Sequence, residues 1–117
     1  MNRRPSNVRQ RLEDWATARS GDKGNHANIG VVARDADAFD VLVDHLTAHR
    51  VATFFTALNP RKVERFLLPN IGALNFVLYD VLDGGASASL RSDTQGKLLG
   101  TALLQMPFDG SPEPADG

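Results

Sequence analysis

Cysteine is absent from the 117-residue chain. That excludes a disulfide-stapled scaffold and any thiolate metal site, and it makes a reducing cytoplasm the expected setting. No apolar run approaches the length of a membrane span. The N-terminal stretch MNRRPSNVRQRLEDW has arginines with no hydrophobic segment behind them, so neither a secretory signal nor a membrane association is expected. An excess of one charge is missing too. Thirteen basic and fourteen acidic residues nearly cancel, which argues against a nucleic-acid partner. The strings G-x-x-x-x-G-K-[ST], G-x-G-x-x-G, H-E-x-x-H and G-x-S-x-G do not occur, so no cofactor and no metal is predicted.

What is present fits a single domain with one modest core. The ends differ in sign. Residues 1–11 carry Arg3, Arg4, Arg9 and Arg11 and read as a mobile basic arm, while DGSPEPADG at 109–117 reads as a disordered acidic tail. The folded part is expected over 12–108.

Along that part, 12–18 is weakly strand-like around Trp15, and Asn28 to Ala33 is a better strand because β-branched residues suit a pleated surface. Phe39, Leu42, Val43 and Leu46 form one helical stripe, and Val51, Phe54, Phe55 and Leu58 form a second that is out of phase with it. Two helices with a break at Thr47, a good N-cap, are predicted. A strand at Val63 to Leu68 closes at Pro69. Leu74, Val77, Leu78 and Val81 return to helical spacing and predict a helix that carries Asn75 in an apolar setting. A small-residue strand at 86–91, a turn at 93–97 and a last helix at 98–106 complete the reading. Strands interleaved with helices in so short a chain predict an α+β two-layer sandwich: one sheet of about four strands with helices packed on one face.

Chemistry gathers in ARSGDKGNHANIGVVAR, residues 18–34. Read as a wide loop between two strands, it lets Gly21 and Gly24 turn consecutive backbone N–H groups into an anion nest beside Arg19 and Lys23. Asp22, Asn25 and Asn28 would orient hydroxyl or amide groups of the ligand. That ligand would be a small molecule bearing a phosphate, a carboxylate or a thioester carbonyl. Asp22 and Lys23 are the candidate catalytic residues, as an acid–base pair. The same glycines, asparagines and aspartate also simply make turns, and both readings stand. His45 and His49 have metal-ligand spacing, but the predicted break at Thr47 falls between them, which favours surface histidines. Arg91 suits an anion or an ion pair equally.

These stretches together resemble the AtuA-like (acyclic terpene utilisation) family, in its small ferredoxin-fold domain. ARSGDKGN at 18–25, NIGVVAR at 28–34, LTAHRVATFF at 46–55, RFLLP at 65–69, ALNFVLYDVLDGG at 73–85 and SLRSDTQGK at 89–97 carry the likeness. The resemblance implies a ferredoxin-like fold and a place in catabolism of branched terpenoid or related acyl-CoA compounds. By position, Arg19, Ser20, Gly21, Asp22, Lys23, Gly24, Asn25 and Asn28 carry the family motif. His26 departs from it and is given no catalytic role. The predicted order opens with a hairpin, unlike the usual βαββαβ. A stand-alone accessory or ligand-binding domain that works with a larger AtuA-like protein is the expected function. The alternatives are a hydratase or lyase in its own right and a homo-oligomeric structural domain. A homodimer is expected on each reading, because a small sheet with one exposed face tends to pair.

Overall fold

The computed structural model describes residues 9–81 and 93–113, the side chains of 93–97 apart. A 3-10 turn at Leu12–Asp14 leads into β1 (Ala16–Lys23), which returns as β2 (His26–Ala33). Two helices follow, α1 (Ala36–His45) and α2 (Ala48–Phe54). Then come β3 (Lys62–Leu68), β4 (Ala73–Tyr79) and α3 (Asp93–Leu104). The four strands form one antiparallel sheet in the order β1-β2-β4-β3. The expected α+β sandwich is the fold of the chain. With the α1–α2 pair counted as one crossover, moving β1 from the front of the chain to its end gives β-α-β-β-α-β, the ferredoxin-like order. The opening hairpin is thus a circular permutation of that fold.

Local chemistry explains the helix boundaries. The Asp35 carboxylate caps α1 by accepting from the Ala38 N–H at 2.7 Å, and the Thr47 hydroxyl caps α2 by accepting from the Arg50 N–H at 3.0 Å. The break expected at Thr47 is there. Pro69 ends β3 by opening a 3-10 turn. The turn expected at 93–97 is instead the first part of α3. The strand expected at 86–91, with Arg91, lies outside the described residues.

One prediction fails outright: 73–79 is a strand, not a helix. Leu74, Phe76 and Leu78 alternate into the core and are fully buried. Because β4 lies inside the sheet, Ala73 and Val77 on its other face are apolar as well. That filled in the alternation and left a spacing that also satisfied a helix.

The inner face of the sheet, with Ala27, Ile29 and Val31 of β2 beside those β4 residues, packs on Ala38 and Leu42 of α1, Val51 of α2 and Leu99 and Leu103 of α3. Each large side chain buried there contributes roughly 1.5–3 kcal/mol. Arg65 of β3 also lies on this face. Its Nη1 donates to the carbonyls of Val43 and Leu46, at 2.8 and 3.0 Å, where α1 ends.

Both ends of the described chain are sewn to this core. Leu12 N–H donates to Met106 O, and Phe108 N–H to Gln10 O, about an antiparallel bridge between Arg11 and Pro107. Trp15 Nε1 donates to Phe108 O at 3.1 Å, and the two rings meet edge to face. Arg9, from the expected arm, stacks on Trp15 at 4.6 Å. Of the expected tail, Ser111 O accepts from Arg50, and the Glu113 carboxylate lies 2.9 Å from His49 Nδ1.

Gly110 sits against the Trp15 ring with φ +89°, and a Cβ there would come within 2.8 Å of the indole. Gly110→Ala should cost about 1–3 kcal/mol through the clash and the left-handed backbone. Urea unfolding followed by the fluorescence of Trp15, the sole tryptophan, measures it; an unchanged midpoint would contradict this packing.

Candidate functional site

The motif-bearing stretch is a hairpin rather than a loop. Only Gly24 and Asn25 lie between the strands, and Lys23 pairs directly with His26. Gly24 has φ +62° and Asn25 does not share it, as a type II′ turn requires. The expected anion nest therefore does not form. In a strand, successive N–H groups point to opposite edges, and the bonds between β1 and β2 occupy one set.

Strand alternation divides the eight motif residues into three groups. Arg19, Gly21 and Lys23 of β1, with Asn28 of β2, point away from the helices; Ser20 and Asp22 point toward them; Gly24 and Asn25 make the turn. Asp22 and Lys23 thus lie on opposite faces of the sheet. They cannot act as an acid–base pair on one reacting atom, which corrects that expectation.

Ser20 has a structural partner. Its hydroxyl accepts from the Gly100 N–H at 2.7 Å, and a Cβ on Gly100 would sit 3.1 Å from the main-chain carbon of Arg19. The missing side chain at position 100 lets helix α3 approach β1 this closely without a tight Cβ contact.

The outward group forms a defined surface. All helices packed on the sheet lie on its other face, so this face is bare among the described residues. Across the strands, Arg19, Gly30, Asn75 and Phe66 form one row, and Gly21, Asn28, Val77 and Glu64 form the next. Gly30 leaves a recess flanked by Arg19, Asn28 and Asn75. A Cβ on Gly30 would lie 3.9 Å from Asn75 Oδ1, and one on Gly21 would lie 3.6 Å from Asn28 Oδ1. The side chains of Arg19, Asn28 and Asn75 make no hydrogen bond or ion pair among the described residues. One fixed cation and two carboxamides, each with donors and an acceptor, are available to a ligand there. Asn75 and Gly30 were missed as site residues because β4 was read as a helix; alternation through Leu74, Phe76 and Leu78 was the signal that would have found Asn75.

The row nearer the turn is engaged with itself. Asp80 N–H donates to His26 Nδ1 at 3.1 Å, and the His26 ring meets Tyr79 edge-on. Arg61 pairs with Asp80, while Arg61 and Lys62 both lie over the Tyr79 ring. Tyr79 donates its hydroxyl to Glu64 Oε1 at 2.8 Å. That bond, then partial loss of water and the Glu64 charge, holds the phenol above its ordinary pKa, with Arg61 pulling weakly the other way.

A second concavity, about 600 Å³, opens between α2 and the C-terminal segment, lined by Arg50, Phe54, Met106, Phe108 and Pro112 among others. None of the motif residues lines it. Its charged groups are already bonded within the domain: Arg50 to the carbonyls of His45 and Ser111, Glu113 to His49, and Asp109 to the Ser111 N–H. His45 and His49 fall in different helices.

Comparison with known families gives a match to the AtuA ferredoxin-like domain over residues 10–109. The chain belongs to this family. No curated protein and no solved structure matches it. The AtuA ferredoxin-like match takes in all four strands and all three helices of the described residues. No helix among the described residues is long and apolar enough to cross a membrane.

Two outcomes follow. Tyr79 is the sole tyrosine, so its ultraviolet titration reads one group. It should titrate above about 10, and Glu64→Gln should lower it. Because the folded value is raised, the stability this bond contributes is complete below the unfolded pKa and is lost as pH rises through the folded one. Second, Gly100→Ala gains up to about 1 kcal/mol of helix propensity, yet its Cβ meets main-chain atoms of β1 at 3.1–3.2 Å, closer than ordinary contact. A net loss of stability on thermal denaturation is expected, and a gain would show that α3 does not rest on β1 at this position.

Proposed function

We propose that the chain is an accessory domain that binds an anionic group on its bare sheet face and works with a larger AtuA-like protein. The observation that carries this reading is the recess at Gly30, where the side chains of Arg19, Asn28 and Asn75 have no hydrogen-bond partner among the described residues. Three of the motif residues, Arg19, Gly21 and Asn28, border it from adjacent strands. A guanidinium beside two carboxamides suits a carboxylate, a phosphate or a polarised thioester carbonyl. The recess is open and shallow, so a ligand held there keeps one side exposed, and a partner's surface would supply the other wall.

Family membership supports a role in catabolism of branched terpenoid or related acyl-CoA compounds. The absence of a mutually bonded nucleophile and base around the recess, among the described residues, favours binding over independent turnover. Asp22 lies on the far side of the sheet and adds nothing at this face.

The test is an NMR titration of labelled protein with CoA and a branched acyl-CoA, alone and with the larger AtuA-like protein present. Saturable shifts at the amides of Arg19, Gly21, Asn28, Gly30 and Asn75 are expected. Gly30→Val should abolish them while leaving the fold intact, because its Cβ makes ordinary contacts and valine suits a strand. Shifts that survive Gly30→Val, or none with either compound and no association with the larger protein, would overturn the proposal.

A further inference from the structure

The sheet has two edges, and they differ. Against β1 runs α3, close enough for the Gly100 N–H to reach Ser20. Beyond β3 no strand follows among the described residues. Edge strands are usually guarded by charge, proline or bulges. In β3 the guard covers only the first half: Lys62, Glu64 and Arg65 are charged, and Arg65 is turned inward to the carbonyls of Val43 and Leu46. Phe66, Leu67 and Leu68 are uncharged and 42–44% exposed, and Ile71 just beyond is 66% exposed. Leu67 points to the helical side, so its exposure shows that the helices stop short of this corner and leave room for a neighbour.

We infer that this edge pairs with the same edge of a second copy, antiparallel about a two-fold axis normal to the sheet, with Phe66 at the axis. Such an axis keeps outer-face residues beside outer-face residues, so the register can move only in steps that preserve the faces. Centring the pair on Arg65 would set two guanidiniums opposite each other. Centring it on Phe66 sets Phe66 against its counterpart, Glu64 against Leu68 and Arg65 against Leu67, with no like charges opposed. Each copy brings one carboxylate and one guanidinium to the paired stretch, so the seam adds no net charge. The apolar corner that calls for cover is also the surface that supplies it, which is what an isologous interface requires.

The resulting eight-stranded sheet leaves both Gly30 recesses uncovered and on the same face. Five strand spacings of about 4.8 Å put them roughly 24 Å apart.

The chain has no cysteine, so single thiols report the seam cleanly. Under oxidation Phe66→Cys should give a covalent dimer. Glu64→Cys should not, because its counterpart would lie four residues along the strand, roughly 13 Å away. Sedimentation should show the unaltered chain as a dimer, and Phe66→Lys as a monomer. A monomer at every concentration, a dimer untouched by Phe66→Lys, or crosslinking of Glu64→Cys equal to that of Phe66→Cys would each overturn the inference. Should Phe66→Lys fail to fold, the cysteine pair still decides it. Phe66 pairs with Asn75 but not with β1 or β2, so ligand shifts at Arg19, Gly21 and Asn28 report the recess while sedimentation reports the seam, and the two losses are separable.

Discussion

Everything on the bare face depends on the register of one hairpin. A two-residue turn at Gly24–Asn25 makes Lys23 meet His26, and each later pair follows down to Ala16 with Ala33. A slip of one residue would send Arg19 inward among Ile29 and Val31 and turn Ser20 outward. Burying that guanidinium without partners would cost several kcal/mol, more than any turn preference supplies. The apolar alternation of β2 and the backbone freedom of Gly24 therefore enforce the same arrangement.

Within the motif, duties are divided by position along the strand. Ser20 and the turn residues hold the hairpin to α3 and close it; Arg19, Gly21 and Asn28 face outward without structural partners among the described residues. One short stretch, 19–28, thus carries both the scaffold and the surface it displays. Much of its composition is explained by the scaffold alone: glycine for the turn and a hydroxyl for the helix contact. The turn reading holds for Gly24 and Asn25, and the binding proposal rests on the outward-facing residues alone.

Legibility in the sequence followed the same division. The helices of 36–54 were readable because Asp35 and Thr47 are local caps and the two apolar stripes are out of phase. Strand β3 was readable because Pro69 stops it. Strand β4 was not, since an inner strand with apolar residues on both faces loses its period. The outward residues lie on strands and not in the expected loop, because glycine, aspartate and asparagine signal turns whatever flanks them. Which of them would lie together could not be read, since Asn75 reaches Gly30 only through a strand pairing across 45 residues of chain.

Arg65 has a consequence for how the domain opens. The carbonyls of Val43 and Leu46 belong to the end of a helix, where intrahelical donors run out. Their donor arrives about twenty residues later, from the other layer. Neither piece completes its hydrogen bonding alone, so the last turn of α1 and strand β3 are clasped as one unit. In hydrogen exchange their amides should open together, and the crossover between them should behave as a hinge without a free leaf.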